Sequence, residues 1–153
     1  YGYLYEDIDI SWRVWLAGYK VLYFSSLESV HMMSATASST YSHSRRQFMS
    51  KRNKMVTFLK NLEWVTLISF SPIILMVVLV ELIILKPKAA IFMGNIDPFL
   101  NFKKIFKKRK EIKKFRKITD KEIVTFFVSD HWKVIKRCIG GNLKFNSSLL
   151  KKN

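Results

Sequence analysis

Cysteine is almost absent from this chain. The single one, Cys138, excludes an internal disulfide and any zinc site built from several thiolates. Its simplest reading is a buried thiol in a helix. No glycine-rich loop stands before a helix as a phosphate cradle would. No repeat is visible. Negative charge is scarce: 11 Asp and Glu face 27 Lys and Arg, for a formal net charge of +16. The excess is local. Lys86 to Lys117 carries twelve Lys or Arg against Asp97 and Glu111, which is +10 of that total. A block of this kind beside an apolar segment is a surface for an anionic partner.

Three of the few acids that are present cluster at one end. Glu6, Asp7 and Asp9 fall directly before a run with helical spacing, in which Ile8, Trp12, Trp15 and Leu16 share one apolar face. Acids in a first turn suit the exposed N–H groups and the helix dipole. Gly18 is placed to end the helix in a left-handed conformation. Tyr19 to Phe24 is rich in β-formers and predicts a strand. Leu27 to Met32 predicts a second extended piece ending near His31. Ser34 to Ser44 is Ser, Thr and Ala with two tyrosines, a surface loop that is either a connector or a cover over a site.

The order of Glu6-Asp7-x-Asp9, Arg13, Gly18-Tyr19-Lys20-Val21, Val30-His31 and Arg52-Asn53 resembles the end of the catalytic domain in family 2 glycosyltransferases, the rhamnosyltransferase-like branch especially. The resemblance covers residues 1 to 61. It implies an α/β domain of GT-A fold, a nucleotide-sugar donor, inverting transfer and a divalent metal, Mn or Mg. It also implies roles. Asp7 is the catalytic base, Glu6 lies beside it in the acceptor site, and His31 is a metal ligand, the alternative being a histidine that merely finishes a strand. The chain opens at Tyr1 inside the motif, with no initiator Met, and no Asp-x-Asp follows a strand. It therefore reads as the C-terminal part of a longer enzyme, with the donor site mostly upstream.

Sequence physics alone offers a plainer account of the same acids, as helix-capping residues. Asp9 stands four residues before Arg13 in the favourable order, and that pair predicts a structural role. Trp12 either packs in the core, the preferred reading, or lines the acceptor site. Asp130-His131-Trp132 has too few ligands for a metal site.

Arg45 to Asn61 predicts a helix with Phe48, Met55, Leu59 and Leu62 near one face. Its cations are expected on a solvated face or against anionic headgroups. Trp64 to Val80 is seventeen residues without a formal charge. From Trp64 to Leu85 a helix reaches about 33 Å, roughly the thickness of a hydrocarbon core. Both flanks are basic, so a single crossing puts one of them on the wrong side. That slightly favours an embedded, non-crossing arrangement, with a break near Ser71-Pro72. Pro98 is placed to start a helix, and Phe99 to Lys117 has the pattern of a basic amphipathic helix on an anionic membrane. Thr119-Asp120-Lys121-Glu122 has the form of a capping box, opening a helix toward Cys138.

The expected organisation is thus 1–61, the end of a catalytic domain; 62–85, a membrane-embedded or transmembrane segment; 86–118, a basic amphipathic region; and 119–153, a C-terminal helix and tail. The expected activity is transfer of a sugar to a lipid-linked or polysaccharide acceptor at a membrane containing anionic lipids, with the catalytic part facing the cytoplasm. A non-enzymatic basic membrane-surface adaptor is the alternative. Nucleic acid is not an expected partner, because no recognition motif accompanies the basic block.

Overall fold

The structure, a computed structural model, describes residues 4–22 and 40–126. The chain divides into two compact units, Tyr1–Ile123 and Val124–Asn153, and the account below concerns the first. Six helices are described: α1 (Glu6–Leu16), α2 (His43–Asn61), α3 (Trp64–Ile84), α4 (Lys88–Leu100), α5 (Phe102–Phe115) and α6 (Asp120–Phe126). No strand occurs among the described residues, which overturns the expected α/β fold of GT-A type. Residues 19–22 are irregular, with Tyr19, Val21 and Leu22 exposed. Strand propensity is realised only against a paired neighbour, and no described segment pairs with them. The second expected extended piece and His31 lie outside the described residues.

α2 is the axis of the unit. The side chain of Ser42 accepts from Arg45 N–H at its start, and its last carbonyls receive two guanidinium groups. Arg109 donates to Leu59 O (2.6 Å) and Arg116 to Asn61 O (2.9 Å). Cations at a helix C-terminus satisfy orphan carbonyls and complement the dipole. α4 and then α5 follow α2 in its own direction. Arg52 meets Asp97 midway along it, and Arg109 and Arg116 close its far end. Gly94 makes the close crossing possible, since a Cβ there would lie 2.6 Å from Phe48 O. Pro98 sits inside α4 rather than starting a helix, and the next helix begins at Phe102. Without an N–H it leaves the Gly94 carbonyl without its i+4 donor, a loss that only a first turn avoids.

Two apolar clusters flank this axis. Val56, Leu59, Leu67 and Ile105 join α2, α3 and α5. Leu16, Ile112 and Ile123 join α1, α5 and α6, with Trp12 and Trp15 packed on them. The capping box forms as the sequence predicts. Glu122 accepts from Thr119 N–H at 2.6 Å, and Thr119 Oγ1 accepts from Glu122 N–H at 3.3 Å.

Candidate functional site: the acidic turn of α1

The acidic turn is held in place by α2. Asn53, fully buried, donates to Leu4 O at 3.1 Å. Leu4 and Tyr5 both adopt left-handed backbone, with φ of 62° and 70°. Neither is glycine, so each costs about 1–3 kcal/mol. That strain delivers Glu6 and Asp7 to the start of α1. At the other end Gly18, with φ of 83°, donates to Trp15 O while Tyr19 donates to Val14 O. This pair of bonds closes the helix as the glycine predicts.

The three acids then part company. Asp9 is buried, 1% exposed. Lys60 donates to its Oδ2 at 2.6 Å, Asn61 to its Oδ1 at 2.9 Å, and Arg13 Nε lies 3.1 Å from Oδ2. Burial by itself raises the carboxyl's pKa. The hydrogen bonds from Lys60 and Asn61, with the charges of Lys60 and Arg13, more than reverse this and hold Asp9 below its ordinary value. Glu6 and Asp7 are exposed, and Asp7, two residues before Asp9, lies on the far side of the helix from it. Among the described residues Asp7 Oδ1 accepts only from the neighbouring Ile8 N–H, at 2.8 Å, and joins no ion pair.

The inward stripe of α1 is therefore buried Asp9 and Leu16 with half-buried Trp12 between them, and Ile8 is 47% exposed. The expected apolar face is turned by one position because Asp9 has a cationic partner to bury against. Trp12 stands half-buried, its ring edge-on to Phe58 at 6.3 Å. Its surroundings favour packing over acceptor contact. Burial also raises the Tyr5 hydroxyl's pKa, helped by the nearby Glu81 carboxylate.

Lys60 and Asn61 are the residues that sequence reasoning missed. The one signal was an aspartate in phase with Trp12 and Leu16, which called for an opposite charge without naming it. The cations of α2 are corrected too. Lys51 and Lys54 pair with Glu81 at 3.1 and 2.7 Å, Arg52 with Asp97 at 2.8 Å, and Lys60 with Asp9. These four pair with acids of the fold, whereas Arg45 stands exposed over the Phe48 ring and Arg46 joins no ion pair among the described residues. Among the described residues no three His, Cys, Asp or Glu side chains gather to hold a metal ion, and Asp9 is already engaged. The expected metal therefore finds no fitting set there.

No protein-family model, no curated protein and no solved structure matches this chain. The site must be read from its own chemistry. α3 is long and apolar enough to cross a membrane by length and composition.

Proposed function

We propose that this chain supplies the acceptor side of an inverting glycosyltransferase working at a membrane surface. The observation that carries the reading is the contrast between two aspartates two residues apart. Asp9 is consumed by Lys60, Asn61 and Arg13, whereas Asp7 is presented to solvent on a strained, anchored turn. Strained backbone held by its surroundings is characteristic of functional sites. In this reading Asp7 takes the proton of an acceptor hydroxyl as its oxygen attacks the anomeric carbon. The bond from that carbon to the donor diphosphate breaks on the opposite face, and the diphosphate leaves with the electron pair. Glu6 borders the acceptor. Asp9 and Lys60 fix the helix so that the base keeps its place.

Membrane association supports a lipid-linked acceptor. α3 exposes apolar residues around most of its circumference, and the basic α5 adjoins it. Basic flanks on both sides of α3 favour the cytoplasmic face. The test is Asp7→Asn in the complete protein, assayed for transfer from nucleotide-sugar donors to a lipid-linked acceptor. Loss of about 10² to 10⁴-fold in rate is expected, with the melting temperature kept, because Asn serves a helix start as well as Asp. Turnover within about threefold of the unmodified enzyme, against that expected loss, removes Asp7 as the base. A complete protein that binds membranes and transfers no sugar is instead the basic surface adaptor.

A further inference from the structure

We infer that α3 lies in the plane of one leaflet of an anionic bilayer and does not cross it. The inference rests on the membrane part of the reading above and gives it a geometry.

Composition alone cannot separate the two arrangements, because a helix of about 21 residues at 1.5 Å each fits either. The fastening of its ends does separate them. At the start, Glu63 N–H donates to Asp120 Oδ2 at 2.6 Å and Asp120 N–H donates to Glu63 Oε2 at 3.1 Å. Arg109 stacks 4.1 Å over the Trp64 ring. At the finish, Glu81 meets Lys51 and Lys54, and His43 donates to Lys86 O at 2.9 Å. Both ends are thus bonded to one helical body, α2 with α5 and the turn after it. α3 runs back along α2 from its last turn toward its first. A crossing puts Glu81 and Lys86 a full hydrocarbon thickness from Trp64. It must therefore either tear Glu81 from two lysines or drag those charges into lipid, at several kcal/mol per ion.

The surface fits the leaflet. Of α3 only Leu67 is buried, while twelve of its large apolar side chains are exposed. Soluble proteins rarely leave such a patch in water. An apolar groove of about 400 Å³, lined by Phe58, Leu67, Ile74, Ile96 and Phe99 among others, runs beneath it. The patch continues through rings. Trp64 meets Phe102 at 6.2 Å, and Phe102 meets Phe106 at 6.0 Å. There the cations begin, with Lys110 lying 5.0 Å over Phe106 and Lys103 and Lys107 exposed beside it. Apolar depth, an aromatic border and a cationic rim in that order match acyl chains, interface and anionic headgroups.

The experiment labels single cysteines in the full chain carrying Cys138→Ser, bound from outside to sealed vesicles of phosphatidylcholine and phosphatidylserine. Lys113→Cys, beside Trp64 at the start of α3, and Lys88→Cys, beyond its finish, mark the two flanks of α3, and both positions are exposed. Ile68→Cys marks its exposed middle. A membrane-impermeant maleimide should modify both flanks to the same extent with and without detergent, and should miss Ile68→Cys only when vesicles are present. Labelling of one flank only after detergent means a crossing and overturns the inference while leaving membrane association intact. Failure to float with vesicles overturns both. Protection of Ile68→Cys without vesicles means a second copy covers α3, and the lipid assignment is wrong. None of these readouts depends on Asp7 or on sugar transfer.

Discussion

α2 and α5 are both rich in Lys and Arg, and the fold uses them in opposite ways. Along α2 the charges turn inward. Lys60 is 6% exposed in its contact with Asp9, and Lys51 and Lys54 share Glu81. Along α5 the lysines at 103, 104, 107, 108, 110, 113 and 114 are exposed, and only Ile105 and Ile112 are buried. Two guanidinium groups, Arg109 midway along it and Arg116 at its C-cap, are the exceptions, spent on α2's carbonyls. A count of charges therefore says little about where they go. What decides is whether the chain holds an acid that can reach them. With 11 acids for 27 cations, four of the cations of α2 obtain acids and the lysines of α5 do not, so most of the charge left for a membrane lies on α5.

The contrast breaks most sharply at Lys60. Lys60→Met keeps the apolar stem and removes the ammonium, leaving Asp9 buried against Asn61 and Arg13. Removing one partner of a buried pair costs about 3–5 kcal/mol. Thermal melting should show that loss. A change below about 1 kcal/mol would mean that Arg13 replaces Lys60 outright, against the usual cost of an unpaired buried charge.

How much of this was readable beforehand follows from where each cause resides. The stop at Gly18, the capping box at Thr119 and the extent of α3 are local, set by neighbours within a few residues. All three form as read, but the break expected near Ser71-Pro72 does not, since α3 runs unbroken through Pro72. The orientation of α1 was misread because Ile8 looked like core and Asp9 like surface. Asp9's partners stand 51 and 52 residues away, and periodicity carries no information about them. A shorter separation, 27 residues between Lys54 and Glu81, likewise hid the pairing of that acid with Lys54 and Lys51. Glu81 looked like an interruption of an apolar run, whereas it anchors that run to α2. The strand after Gly18 failed for a related reason, since a strand is defined by a partner and none is described for residues 19–22. Of the site, the acids were legible, but the strain at Leu4 and Tyr5 was not, because neither residue is the glycine that usually signals positive φ.

Acid gives a gentler test of the same pair. Asp9 is held below its ordinary carboxyl value in the fold, burial being outweighed by Lys60, Asn61 and Arg13. The unfolded chain takes up that proton first, near pH 4. Asp9's contribution is therefore complete above about pH 4 and is lost as pH falls through the lower folded value. Melting temperature against pH should fall more steeply below that point in the unmodified protein than in Asp9→Asn, which has no carboxyl to titrate. Parallel curves would show that Asp9 gains nothing from its charge in the fold.

The smallest effect on stability is expected on α5, and there the contrast is sharpened by a near-zero result. Lys107 and Lys114 are exposed and lie two turns apart, on nearly the same face. Neither pairs with an acid among the described residues. Surface substitutions of this kind change stability by less than about 0.5 kcal/mol. Lys107→Gln with Lys114→Gln should thus melt like the unmodified chain, where Lys60→Met does not. Vesicle binding should respond the other way. Each lysine near an anionic surface contributes about 1 kcal/mol, so the double variant should lose about 2 kcal/mol, roughly thirtyfold in affinity at moderate salt. Raising the ionic strength should narrow the gap, because exposed charges are screened within a Debye length. The apolar contribution of α3 should remain, leaving residual binding to neutral vesicles unchanged. If the double variant instead unfolds more easily and binds lipid as before, the lysines of α5 are structural like those of α2, and the division between the two helices does not hold.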